Sequence, residues 1–254
     1  MSALQKSIMK NKLPPKAPKS SGVSKLAPFG GGRRKDYTPV SWRNYFEKYV
    51  DVETEGGVFR VYLSPEPDCP ERPRIVTLHG GGYSGLSWAL FTEEITSMIH
   101  CQVVALDIRG HGETQAKDPD DLSTAMEALA SMQSFLRSRP THFKSIEHAI
   151  EWCVRSSQVR NVASARGLIN PLSVCRRTLA HTERHWAGWF RGLSAAFLAV
   201  RAPRLLLLAS LDGLDRELTV GQMQGKFQMQ VLTRCGHAVH EDSPAEVSSL
   251  LRIY

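Results

Sequence analysis

His79-Gly80-Gly81-Gly82 closes a short apolar run, Arg74 to Leu78. Successive glycines let the backbone curl, so that the N–H groups of Gly81 and Gly82 can aim at a developing oxyanion. The competing reading is a glycine-rich loop that only reverses the chain. Downstream, Cys235-Gly236-His237-Ala238-Val239-His240-Glu241-Asp242 lies between another apolar run and a helix-like segment. A histidine on such a loop can turn one ring nitrogen to a nucleophile and the other to a carboxylate, shuttling protons near neutral pH. That part falls to His237 rather than His240. Asp212, just past the apolar run Arg204 to Ala209, is the candidate acid, with Asp215 as the alternative. The same stretch also reads as a polar turn in which an Asp caps its own backbone.

These are parts for acyl transfer, and the nucleophile is missing from them. A G-x-S-x-G turn must join a strand to a helix to expose a serine hydroxyl. No such pentapeptide occurs: Gly82-Tyr83-Ser84-Gly85-Leu86 fails at its last position, and Gly192-Leu193-Ser194-Ala195-Ala196 has no strand before it. Cys235 stands two residues from His237, which in extended backbone puts them about 6 to 7 Å apart, too far for a hydrogen bond. An unreactive thiol is the better reading. His181-Thr182-Glu183-Arg184-His185 places two histidines on one helix face, but the glutamate is misplaced for HExxH and no third metal ligand is evident.

The elements that must position these residues alternate. Val58 to Leu63 and Arg74 to Leu78 read as strands, Phe91 to His100 as a helix, and Cys101 to Leu106 as a strand buried on both faces of a parallel sheet. Strand, helix, strand is the βαβ pattern. Ser123 to Leu136 and Ser145 to Val154 then read as helices with serine N-caps, and Trp186, Trp189 and Phe190 keep helical spacing. A strand returns only at Arg204 to Ala209, followed by Phe227 to Leu232 and a closing helix, Pro244 to Arg252.

The chain has 254 residues and a net charge of +7. Residues 1 to 35 hold nine Lys or Arg and no Asp or Glu, which leaves the remainder at −2. The positive charge therefore belongs to a Pro-, Ser- and Gly-containing arm that reads as disordered, and the expected domain is 36 to 254. Neither nucleic acid nor membrane is an expected partner, since the most apolar stretch, Leu205 to Ala209, is far short of a span. Five cysteines (Cys69, Cys101, Cys153, Cys175, Cys235), no CxxC pair and no secretory pattern suggest a reducing, intracellular compartment, cytoplasmic or nuclear.

Asp107-Ile108-Arg109-Gly110-His111-Gly112 resembles the D-x-R-G-H-G run of α/β-hydrolases, in which Asp107 and His111 would be scaffold. Gly221-Gln222-Met223-Gln224-Gly225-Lys226-Phe227-Gln228-Met229-Gln230-Val231-Leu232, with the segment Cys235 to Asp242, is similar to the protein phosphatase methylesterase family. Ser131 to Arg137 and Gly188 to Ser194 match it further. The resemblance implies an α/β-hydrolase fold, a mostly parallel sheet flanked by helices. It implies a serine esterase that removes the methyl ester from the C-terminal leucine of the protein phosphatase 2A catalytic subunit. No cofactor is implied, water being the second substrate.

The family's G-H-S-M-G-G elbow would fall between Asp121-Leu122-Ser123 and Ala125-Met126-Glu127, which here nearly touch. Its acid lies in the same lost stretch, which counts against Asp212 and leaves His237 as the one triad member carried over. Arg166 to Arg177 replaces a longer acidic insertion, and the ending Arg252-Ile253-Tyr254 reads as early; splicing or an incomplete gene model would account for all three. The expectation is an internally truncated domain, incomplete in its central strands, with ladder groups left unpaired at about 1 to 3 kcal/mol each. Such a chain should fold poorly or differently and, if it folds, lack esterase activity; the methylesterase remains the reading of what the gene encodes, and a non-catalytic binder of the phosphatase is the alternative.

Overall fold

The computed structural model describes residues 35–253 except 70, 118–142, 157, 169–191 and 212–213. The basic arm, the expected helix at Ser123 to Leu136, the tryptophan segment, Asp212 and the His181 to His185 pair lie outside the described residues.

Strands β1 (Lys48–Thr54) and β2 (Gly57–Leu63) form an antiparallel hairpin. β1 escapes sequence patterning because every one of its residues is exposed, so it has no apolar alternation to read. Pairing holds it instead, reinforced by the Arg60 guanidinium, 2.5 Å from the Asp51 carboxylate and 3.8 Å from the Tyr49 ring centre. β3 (Arg74–Leu78), α1 (Ala89–Met98) and β4 (Gln102–Leu106) form the expected βαβ unit. β3 and β4 run parallel in the register Arg74↔Gln102 to Leu78↔Leu106. A short β5 (Gln115–Ala116) pairs with β2, and the sheet order is β1-β2-β4-β3. The sheet is thus mixed, the hairpin adding antiparallel pairs to the parallel β3–β4 pair.

Six helices and two strands follow among the described residues, the last helix closing the chain. They are α2 (Ile146–Arg155), α3 (Val162–Leu168), α4 (Leu193–Ala199), β6 (Leu205–Leu208), α5 (Arg216–Met223), β7 (Gln228–Val231) and, before the last helix, the single turn α6 (Val239–Asp242). The closing helix α7 spans Pro244–Ile253. Ser145 caps α2 as its sequence suggested, accepting a hydrogen bond from the His148 N–H. β6 and β7 pair in parallel as a separate two-stranded sheet. One core cluster, with Phe91 and Ile95 of α1, Val103 of β4, Leu232 and Val247 of α7, joins both sheets, Ile75 and Leu207 packing against it.

The break between the sheets lies beside β3. No described strand pairs with its outer edge, and Val76 and Leu78 are each 61% exposed. β4, expected to be buried on both faces, has Val103 and Ala105 fully buried on one side but Val104 and Leu106 only half-buried on the other. A parallel sheet is stable when both faces are covered and its inner edges paired; among the described residues, β3 has no partner on that edge. An open apolar edge is a template for association. Replacing Val76 and Leu78 together by lysine is therefore expected to lower concentration-dependent light scattering several-fold. Unchanged scattering would place the association elsewhere.

Candidate functional site

The loops after β3 and β4 lock onto each other through Asp107. Its carboxylate is fully buried and accepts the Gly85 N–H at 2.6 Å and the Glu113 N–H at 2.9 Å, while its carbonyl accepts the Thr114 hydroxyl at 2.6 Å. Burial raises its pKa, and those two N–H bonds act against the rise. The run expected to be scaffold is scaffold.

Two histidines complete the lock. His79 Nδ1–H donates to the Gly80 carbonyl at 2.8 Å, and its Nε2 accepts the Ile108 N–H at 3.1 Å. His111 Nδ1–H donates to the Arg109 carbonyl at 3.0 Å, and its Nε2 accepts the Gly82 N–H at 3.1 Å. Each ring therefore uses one nitrogen as donor and one as acceptor, the pattern of a neutral imidazole. Burial pushes His79 down to about 3 and lowers His111 as well. The rings meet edge-on at 5.1 Å.

This arrangement corrects one expectation. The Gly82 N–H, named as an oxyanion donor, is engaged by His111, because the left-handed Gly82 backbone (φ 86°) turns it toward the β4 loop. Gly81 is buried, and its N–H makes no hydrogen bond to a described residue.

His237 sits exposed on the bend before α6 and makes no hydrogen bond to a described residue. Asp215 is the N-cap of α5, accepting the Leu218 N–H at 2.8 Å and the Ser194 hydroxyl. The turn reading thus holds for Asp215, and Ser194 is committed to it. Cys235 is buried with its thiol 3.0 Å from the Ser243 hydroxyl, in keeping with an unreactive thiol.

Sequence reasoning missed the group behind His237. His240 stacks on Trp88 at 4.1 Å between ring centres, and its Nε2 lies 3.3 Å from the Ser87 hydroxyl. Burial pushes its pKa down to about 4. Glu241 is fully buried: Oε2 accepts the Ser164 hydroxyl at 2.9 Å, whereas Oε1 has no hydrogen-bond partner among the described residues and lies 3.9 Å from His240 Nε2. Burial raises this carboxyl to about 8. No sequence signal marks Glu241 for burial, because its neighbours His240 and Asp242 are themselves polar. Two surface hollows, of about 510 and 610 Å³, lie apart from these groups, the first along β7 and α7, the second between α4 and α5. Neither is lined by Gly81, His237 or His240.

Comparison with known proteins agrees with this geometry. Residues 134–250 match the model of the alpha/beta hydrolase family. The thioesterase domain from the curacin biosynthetic pathway superposes with a TM-score of 0.56 at 13% identity, covering 82% of this chain and 99% of that one. A putative epoxide hydrolase from Pseudomonas aeruginosa superposes at 0.53 and 17% identity, covering 81% and 94%. Fold and loop geometry thus define an α/β-hydrolase.

Among relatives, the Homo sapiens protein phosphatase methylesterase 1 is 39% identical, covering all of this chain and 95% of the relative. The probable protein phosphatase methylesterase 1 of Caenorhabditis elegans is 37% identical over 85% of this chain and 77% of its own. The chain belongs to the protein phosphatase methylesterase family. The human alignment runs over 370 positions against the 254 residues here, so 116 of its positions face a gap in this chain.

Proposed function

We propose that the chain derives from a carboxyl methylesterase acting on the C-terminal leucine methyl ester of the protein phosphatase 2A catalytic subunit, and that in this form it binds the phosphatase without demethylating it. The carrying observation is that full-length kinship coexists with a β3 edge that no described strand pairs and with no G-x-S-x-G in the chain. In the active reaction, His237 would take the serine proton and return it to the leaving methanol, and Gly81 would donate to the tetrahedral oxyanion. Here both wait on a nucleophile that the chain lacks. Without the serine, the acyl-enzyme cannot form, and the remaining groups can only bind and polarise the ester. The site of action is a reducing intracellular compartment, cytoplasmic or nuclear.

The test mixes purified chain with carboxyl-methylated phosphatase catalytic subunit. Co-purification of the two, no methanol release above the uncatalysed rate and no labelling by a fluorophosphonate are expected. Loss of one triad member typically lowers kcat by about 10⁴ to 10⁶. Fluorophosphonate-sensitive demethylation would overturn the non-catalytic reading, and failure to co-purify would overturn the binding one.

A further inference from the structure

Behind His237, Asp242 gathers backbone from two separate parts of the chain. Its Oδ2 accepts the N–H of Gly236, the residue immediately before His237, at 2.6 Å. Its Oδ1 accepts the Arg160 N–H at 2.8 Å and the Asn161 N–H at 3.2 Å, at the entry to α3. Asn161 closes the link from the other side: its Nδ2 donates to the Glu241 carbonyl at 3.1 Å, and its Oδ1 accepts the Ala163 N–H at 3.0 Å, capping α3. The fit at Gly236 is close, since a Cβ there would stand 2.9 Å from Asp242 Oδ2.

We infer that Asp242 is a positioning residue for His237, pinning the backbone that carries the imidazole against the start of α3. The inference rests on the reading of His237 as the family's proton shuttle. A carboxylate suits the task, because it is acceptor-only and both oxygens face N–H donors. Charge-assisted bonds to backbone N–H are also among the stronger hydrogen bonds. The Val239–Asp242 turn supplies no other described contact to the Gly236 N–H. Without Asp242 the bend at His237, itself free of described hydrogen bonds, would lose the contact that fixes where the ring can swing. Asparagine cannot substitute: whichever way the amide turns, its NH₂ faces either Gly236 or the Arg160 and Asn161 pair.

The experiment compares the full chain, D242N and S164A by amide hydrogen exchange and by the NMR signals of the His237 imidazole. S164A removes the hydroxyl that bonds the neighbouring Glu241 and so perturbs the same turn without touching the Asp242 bonds. In D242N, Gly236 exchange is expected to speed at least tenfold and the His237 ring signals to shift or broaden. In S164A both should stay as in the parent chain. Equal changes in the two variants, or none in D242N, would overturn the inference. Should D242N not fold, the parent chain decides: a Gly236 amide exchanging as fast as that of exposed Arg234 refutes the clamp, and a protected, downfield one supports it. Because these readouts need no catalysis, they stand or fall separately from phosphatase binding.

Discussion

Gly112→Ala is expected to lower the thermal midpoint of the chain by roughly 10 °C, corresponding to about 4 kcal/mol for a domain of this size. Gly112 has φ 54°, where an alanine carries a steric penalty of about 1 kcal/mol. The larger effect is contact: a Cβ at this position would stand 2.0 Å from Asp107 Oδ2 and 2.2 Å from its Cγ. The carboxylate would have to leave, stranding the Gly85 and Glu113 N–H groups at about 1 to 3 kcal/mol each. Gly225→Ala is the matched control. Its φ of 69° is equally left-handed, but nothing lies within 4 Å of the added carbon, so only the backbone penalty should appear. Thermal melts of the two variants followed by circular dichroism check this. Equal, small shifts would mean that the Asp107 lock does not hold the two loops together.

The stability of the chain should peak near pH 6.5 and fall toward pH 8, and Glu241→Gln should remove most of that fall. Glu241 has its pKa raised to about 8, chiefly by burial, with Asp242 adding to the rise and Ser164 opposing it. Between its ordinary value of 4.5 and about 8, the folded state holds a proton that the unfolded state has released. Stability therefore declines with rising pH across that window, by at most about 1.4 kcal/mol per pH unit. His79 and His240 act oppositely, their values lowered to about 3 and about 4 by burial. The unfolded chain protonates them first, so stability gained from them rises with pH up to their ordinary 6.5 and is flat above it. Above 6.5 only Glu241 among the three still changes, giving a loss of about 2 kcal/mol by pH 8. Tyr62 and Tyr83, both raised by burial, do not titrate in this range. Urea melts at pH 6.5, 7.25 and 8 on the parent chain and E241Q make the measurement. A parent profile flat across that range would show that Glu241 is ionised and compensated in the fold.

Much of this architecture was legible because it is local. Arg74 to Leu78 and the helix from Pro244 announce themselves through apolar period and length, and Ser145 through its capping position. β1 was illegible because its residues face solvent on both sides, so its stability lies in pairing with β2 rather than in burial. The Gly82 expectation went astray for a related reason. A glycine loop offers N–H groups, but which acceptor claims each one depends on a histidine 29 residues away.

The sequence by itself determined the missing serine turn, a matter of residue types at fixed short spacing, and through the motifs it shares with α/β-hydrolases it implied the hydrolase class and Asp107 and His111 as scaffold. Only the tertiary structure decided that β3 ends as an exposed edge and that Glu241 is buried with one oxygen unpartnered. It alone showed Asp242 reaching across 82 residues of chain to hold Arg160 beside Gly236. Burial and long-range hydrogen bonds are properties of what comes to lie next to a residue, and no spacing along the chain encodes them directly.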